Sequence, residues 1–264
     1  MRILVVEDEE AIAEGLKFNF EQEGYEVVVA TDGHEALAAV SQTDTEEFAL
    51  IVLDLMLPGL SGYEVLRELR QKLVMTPVLV LSARTLSEDK ILAFDLGGDQ
   101  YMTKPFALRE ILSRVKSLIH RHQSIRSSTP PVPVEPAPAA EQTSSTPGSS
   151  PGRFQFGRVI VNFQTFQVSV GERVHSLTTL ELELLKYFIE HQGEVLSRTR
   201  ILNHVWDEHA EVTTRTIDNF VLRLRKLIEP DPSKPVHILS VRGTGYRFLP
   251  FPSSQDVTDE EVAE

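Results

Sequence analysis

The sequence predicts two domains in series: a doubly wound α/β domain with a five-stranded parallel sheet of flavodoxin-like order, then a winged helix-turn-helix domain. Three observations predict this. Apolar runs alternate with amphipathic stretches through residues 1–122. A Pro-, Ser- and Ala-rich stretch occupies 123–152. Short alternating segments, then helical patterns and a Gly-rich hairpin, fill 153–250.

Composition narrows the function classes. A chain of 264 residues is long for one domain and short for three. The absence of cysteine excludes a disulfide scaffold and thiolate-held zinc, and 41% hydrophobic with 25% charged residues excludes wholesale disorder. The longest apolar run, 48–53, is six residues and cannot span a bilayer, and Met1-Arg2 leads straight into a strand pattern without a signal peptide. A cytoplasmic protein with no membrane partner is expected. The net charge of −13 is unevenly distributed: −9 over 1–122, −1 over 123–152, +2 over 153–250 and −5 over 251–264. An acidic first half suits a cation or phosphoryl chemistry, while a locally basic second half can bind a polyanion.

In the first domain the strand-like runs are Ile3-Leu4-Val5-Val6, Val27-Val28-Val29, 50–53, 78–81 and Tyr101-Met102. Amphipathic stretches at 11–23, 34–40, 63–73, 90–96 and 108–119 follow them in turn, making five βα units. Continuous apolar strands imply a parallel sheet covered on both faces. In such folds ligands bind at the carboxyl ends of the strands, near the topological switch point.

Carboxylates occupy those ends. Glu7 and Asp8 follow the first strand and Asp54 ends the third, which neighbours the first in the order 2-1-3-4-5. Three converging anions repel unless a cation intervenes, and an all-oxygen site suits Mg²⁺. The fourth strand supplies the hydroxyl of Ser82 and the fifth supplies Lys104, ahead of Pro105. Taken singly, Glu7-Asp8 is also a helix cap, Asp54 a turn former and Lys104 a surface lysine. Together, at the ends of four strands, they are the apparatus for a phosphoryl group on a carboxylate, with Lys104 neutralising its oxygens and Ser82 donating a hydrogen bond.

Residues 123–152 read as a linker with a root-mean-square span of about 30 Å, extended by its prolines. In the second domain, 154–176 alternates with Gly157 and Gly171 as punctuation, a small antiparallel sheet. Thr178-Thr179-Leu180-Glu181 is a capping box that opens a helix with Leu182, Leu184, Leu185, Phe188 and Ile189 on its core side. A second helix is expected at 198–206 and a third from Thr213 or Thr214 to Ile228.

The third helix is the most informative. Ile217, Val221, Leu224 and Ile228 form one stripe flanked by Phe220 and Leu227, and the opposite face carries Arg215, Thr216, Asn219, Leu222, Arg223 and Lys226, with Arg225 on a flank. Thr216, Asn219 and Arg223 are expected to stack along one ridge facing a major groove, where arginine pairs with guanine, asparagine with adenine, and Leu222 meets a thymine methyl. A solvated basic face is the plainer alternative. Arg242-Gly243-Thr244-Gly245 forms a tight hairpin tip bearing a cation, and the acidic stretch 251–264 reads as a disordered tail.

Residues 1–122 resemble the receiver domain of two-component response regulators. The match lies in Ile3-Leu4-Val5-Val6-Glu7-Asp8-Glu9, Val52-Leu53-Asp54-Leu55-Met56-Leu57-Pro58, Gly62, Leu81-Ser82-Ala83-Arg84 and Tyr101-Met102-Thr103-Lys104-Pro105-Phe106. The resemblance implies that Asp54 accepts phosphate from a sensor histidine kinase and that Glu7, Asp8, Asp54 and the Met56 carbonyl hold Mg²⁺. It also implies a cis Lys104-Pro105 bond, and Ser82 and Tyr101 as the switch. Without it, Tyr101 reads equally as a core aromatic.

Residues 153–250 resemble the effector domain of the OmpR/PhoB family, above all in Val241-Arg242-Gly243-Thr244-Gly245-Tyr246-Arg247-Phe248. By similarity Arg215, Thr216, Asn219, Arg223 and Arg225 contact promoter DNA, Lys226 lies on the same face, Arg198 anchors a phosphate and Arg242 enters the minor groove. The stretch 206–213 is similar to a loop that can touch RNA polymerase. The family forms a homodimer when phosphorylated, with Lys90–Glu110 and Glu88–Arg121 as implied cross-subunit pairs. Gln100 stands where the family often has an acidic partner for Arg114, so the third implied pair lacks its acid here.

The functional expectation is a DNA-binding transcriptional regulator switched at Asp54, catalysing only its own phosphorylation and dephosphorylation. A phosphate-independent DNA binder and an Mg²⁺-dependent phosphorelay protein without DNA output remain as alternatives.

Overall fold

A computed structural model of the protein describes residues 1–41, 48–127, 152–206 and 214–252. The chain divides into two compact units. The expected acidic tail and most of the expected linker and polymerase-facing loop, at 253–264, 128–151 and 207–213, lie outside the described residues.

The first unit is a parallel sheet of β1 (Arg2–Val6), β2 (Glu26–Ala30), β3 (Leu50–Asp54), β4 (Val78–Ser82) and β5 (Gln100–Thr103) in the order β2-β1-β3-β4-β5. Its helices are α1 (Glu10–Gln22), α2 (Gly33–Ser41), α3 (Gly62–Gln71), α4 (Ser87–Asp95) and α5 (Leu108–Ser127). The alternating side chains of the central strands explain the layering. Ile3, Val5, Leu50, Val52, Leu79 and Leu81 pack with Leu16 and Phe20 of α1 and with Ile111, Val115 and Leu118 of α5 in one core cluster. Every residue of β3 and β4 is buried, as a strand covered on both faces requires.

The reversal of strand order puts β1 and β3 side by side, with Val6 opposite Leu53. The carboxyl ends of these two strands therefore open into one crevice. Helix α3 is seated against that crevice by Gly62, where a Cβ would fall on the Asp54 carbonyl oxygen. The Ser61–Glu64 capping box holds its first turn. Helix α5 runs to Ser127, five residues past the expected domain end at 122, so the helical pattern continues into the stretch read as linker.

The second unit opens with an antiparallel sheet of β6 (Arg153–Phe156), β7 (Val159–Asn162), β8 (Gln167–Val170) and β9 (Arg173–Ser176). Then come α6 (Thr179–Glu190), β10 (Val195–Ser197), α7 (Arg198–Val205), α8 (Thr214–Ile228), β11 (Ile238–Val241) and β12 (Gly245–Phe248). The last sheet has the order β10-β12-β11, and β10 is a strand that sequence periodicity does not announce. It needs Gly245 opposite Ser197, because a Cβ there would collide with the Leu196 carbonyl. Between β11 and β12 the wing closes through a Thr244 N–H to Val241 carbonyl bond of 3.0 Å, with Gly243 in the left-handed region at φ 71°.

The buried carboxylate of Glu229, just after α8, accepts the backbone N–H groups of Val236 (2.9 Å), His237 (2.9 Å) and Ile238 (2.8 Å). It thereby fixes where β11 begins. The His237 ring packs edge-on against Phe156, 4.8 Å between centroids, and its Nδ1 lies 2.8 Å from the Leu249 carbonyl.

Candidate functional site

The residues expected at the strand ends of the first unit do come together. Glu7 and Asp54 are buried, 1% and 3% exposed, whereas Asp8 is exposed. One oxygen from each of the three acids lies within 4.8 Å of the others. The Lys104 ammonium enters this cluster from beyond β5: its Nζ donates to Asp54 Oδ2 at 2.5 Å and to Glu7 Oε1 at 2.8 Å, with Glu9 Oε1 at 3.5 Å. The Lys104-Pro105 peptide bond is cis. The other Asp54 oxygen accepts the Met56 N–H at 2.8 Å, so the carboxylate is oriented from both sides.

Burial pushes the Glu7 carboxyl above its ordinary range, and the neighbouring Asp54 charge adds to the rise while Lys104 opposes it. For Lys104, burial works to lower the ammonium, but hydrogen bonds to Asp54 and Glu7 outweigh it and the net shift is upward. The cluster carries three potential negative charges against one ammonium. That all-oxygen, net-anionic donor set fits a hard divalent cation.

Around this centre, Ser82 is fully buried and its Oγ accepts the Arg84 N–H at 3.1 Å. Tyr101 is 4% exposed and its hydroxyl donates to the Arg84 carbonyl at 2.8 Å. The Arg84 guanidinium donates to Asp89 of α4 at 2.9 Å and to the Met56 sulfur at 3.3 Å, and Tyr63 of α3 donates to the same Asp89 oxygen at 3.1 Å. The sequence reading missed Asp89 and Tyr63. Their partners lie on separate loops and helices, and no local spacing signals them.

The expected interface residues lie on α4 (Glu88, Lys90) and α5 (Glu110, Arg114, Arg121). Arg114 pairs with Glu110 of its own helix, with contacts of 2.7 and 3.1 Å, so any cross-subunit pairing of either must compete with this one.

In the second unit the outer face of α8 differs from the expected ridge. Arg215, Leu222 and Lys226 are exposed and Asn219 is half-buried beside them, whereas Thr216 is 3% exposed. At about 100° per residue, 215, 219, 222 and 226 fall within roughly 60° of one another, directly opposite the apolar stripe. Thr216 and Arg223 sit on the inner flank. There Arg223 lies 4.0 Å over the Phe220 ring and 3.4 Å from Glu181. Arg225, on the other flank, donates to the Ile238 carbonyl at 2.6 and 2.9 Å and to Ser240 Oγ at 2.9 Å, a tie to β11. Arg198 opens α7 with its Nε on Asp218 at 2.9 Å, and Arg242 is exposed at the wing tip.

Two family models match this chain: the response regulator receiver domain over residues 3–116, and the transcriptional regulatory protein, C terminal, over residues 171–248. It is 39% identical over 247 residues to the alkaline phosphatase synthesis transcriptional regulatory protein PhoP of Bacillus subtilis, a match covering 94% of this chain and 96% of that protein. The chain belongs to the OmpR/PhoB family of response regulators. It is also 35% identical over 246 residues to the sensory transduction protein RegX3 of Mycobacterium tuberculosis, covering 93% of this chain and 98% of that one. A solved structure of a RitR mutant shares the fold at a TM-score of 0.71 and 23% identity, over 94% of this chain and 98% of that one.

As an OmpR/PhoB-type response regulator the protein is a phosphorylation-dependent, DNA-binding transcriptional regulator and not a classical enzyme. Among the described residues no helix is long and apolar enough to cross a membrane.

Proposed function

We propose that Asp54 is the phosphoacceptor, that a sensor histidine kinase is the donor, and that phosphorylation promotes a homodimer which binds promoter DNA in the cytoplasm and engages RNA polymerase. The observation that carries this reading is the Asp54 carboxylate itself. It is buried at the end of β3, oriented by the Met56 N–H and held 2.5 Å from the Lys104 ammonium.

In the proposed reaction an Asp54 oxygen attacks phosphorus, the bond from phosphorus to the kinase histidine nitrogen breaks, and an acyl phosphate results. Lys104 then moves from neutralising the carboxylate to neutralising a phosphoryl oxygen, and the buried Ser82 hydroxyl donates to another. Tyr101, through the Arg84 carbonyl, couples that movement to the loop ahead of α4. Glu7, Asp8, Asp54 and the Met56 carbonyl would hold Mg²⁺, which when bound supplies charge neutralisation between the acids and the incoming anion. Water later hydrolyses the acyl phosphate.

On the DNA side, Arg215, Asn219, Leu222 and Lys226 are the residues proposed to meet the major groove, with Arg198 on a phosphate and Arg242 in the minor groove. Thr216, Arg223 and Arg225 support that face from its flanks.

The test is labelling with a small phosphodonor in Mg²⁺, read beside promoter binding. Asp54→Asn is expected to abolish labelling and the gain in DNA affinity that accompanies it. Undiminished labelling of Asp54→Asn would overturn the phosphoacceptor assignment. Labelling that leaves DNA binding unchanged would favour a phosphate-independent binder.

A further inference from the structure

Asp218 stands out as an acidic side chain on the helix that carries the cationic outer face. Its side chain is 45% exposed, and it flanks the line of Arg215, Leu222 and Lys226. A negative charge there repels a polyanion, so on electrostatic grounds alone it weakens DNA binding. Its contacts show what it does instead. One oxygen, Oδ1, accepts both Arg198 Nε at 2.9 Å and the Tyr246 hydroxyl at 2.7 Å.

These two donors come from different elements. Arg198 is the first residue of α7, and Tyr246 lies in β12, held in register between Leu196 of β10 and Ser240 of β11. The Tyr246 ring carries a cation at two approaches, Arg198 at 4.9 Å and Arg225 at 5.8 Å from its centroid. Arg225 in turn holds Ile238 and Ser240 of β11. Helix α8, helix α7 and the wing sheet are thus joined at one carboxylate oxygen and one phenol ring. The ion pair engages Arg198 through Nε.

We propose that Asp218 is a positioning residue for DNA recognition: it sets the rotation of α8 against α7 and the wing and orients Arg198, so that the base-facing and phosphate-facing side chains act as one rigid surface. The proposal rests on the assignment of this face to DNA under the proposed function. Burial, with Asp218 adding to it, pushes the Tyr246 hydroxyl up to about 12, so the phenol stays a donor throughout the neutral range.

Charge and position predict opposite signs. Removing a purely repulsive carboxylate tightens binding to every duplex alike. Removing a positioning carboxylate weakens binding to the preferred sequence and erodes discrimination.

The experiment uses the full chain and two probes: a duplex enriched from a random library by the wild-type protein, and an unrelated duplex of equal length. Asp218→Ala keeps a strong helix former at the site. Tyr246→Phe keeps the ring and loses only the hydroxyl. Asp218→Ala is expected to lower affinity for the enriched duplex about tenfold while leaving the unrelated duplex unchanged or tighter. Tyr246→Phe is expected to lower the same ratio, and the double variant to be no worse than the worse single one, because both act through the same oxygen.

Asp218→Ala tightening both duplexes equally, or weakening both equally, would overturn the proposal, as would Tyr246→Phe leaving the ratio untouched. A wild-type chain that enriches no sequence would overturn the DNA face itself, and the positioning role with it. Melting curves recorded beside these measurements separate loss of fold from loss of register: a loss of affinity for the enriched duplex that disappears once only folded protein is counted also overturns the proposal.

Discussion

Removing the Glu229 carboxylate tests whether one buried acid fixes the start of the wing sheet. Glu229 is 7% exposed and receives three consecutive backbone N–H groups, of Val236, His237 and Ile238, at 2.8 to 2.9 Å. Glu229→Ala leaves all three without an acceptor. A hydrogen bond to a charged group contributes about 1.5–3 kcal/mol, and the three are not additive because they share one carboxylate. Val236 is half-buried, so water can satisfy its N–H, and the two buried donors set the cost. A loss of about 3–5 kcal/mol is expected, against a total domain stability of about 5–15 kcal/mol. The assay is amide hydrogen exchange over residues 229–241. Release by about 3 kcal/mol corresponds to roughly hundredfold faster exchange in that segment. Glu229→Gln, which keeps an acceptor oxygen and loses the charge, should fall between. If Glu229→Ala exchanges within about threefold of wild type, the carboxylate is not what holds the segment and the reasoning fails.

Two further outcomes are expected in the same unit. Because Arg223 lies against Phe220 and Glu181 while Arg215 is exposed, Arg215→Ala should cost about 1–3 kcal/mol on the enriched duplex and relax base preference locally, whereas Arg223→Ala should chiefly lower the melting temperature. Binding across single-base variants decides this, and a local loss of base preference in a fully stable Arg223→Ala would reverse the assignment. For Tyr246, burial lifts the folded-state value to about 12, above the ordinary value of 10.0, so its contribution is fully present below about pH 10 and is lost as pH rises through 12. Phenolate absorbance should lose one late-titrating hydroxyl in Tyr246→Phe while the late titration of Tyr63, which burial also raises, remains. A late amplitude unchanged in Tyr246→Phe would mean other hydroxyls account for all of it.

The positions of Glu7, Asp8, Asp54, Ser82 and Lys104 were legible because a parallel sheet turns strand ends into a shared location. An apolar run marks the strand, the next polar residue marks its carboxyl end, and the strand order then brings β1 and β3 together. The α8 face was only half legible. Helical periodicity located the stripe of Ile217, Val221, Leu224 and Ile228, all buried, but it could not say how far around the helix its neighbours reach. Arg223 reads as outward in an isolated helix and lies against Phe220 and Glu181. Strand β10 escaped because three residues carry no usable period and their partner in β12 lies some fifty positions away.

The sequence by itself determined the two-domain order, the strand-end chemistry and the wing hairpin, since each is written in local pattern: continuous apolar runs, a single residue type at each strand end, and glycines where the backbone must turn or approach closely. Only the tertiary structure decided which charges are spent inside the protein. Arg225 on Ile238 and Arg198 on Asp218 each look like a DNA contact when read along the chain. The reason is physical. A long cationic side chain takes its partner from whatever the folded chain brings within about 3 Å, and that partner, as with Arg198 and Asp218, is set by packing and not by the residues on either side of it.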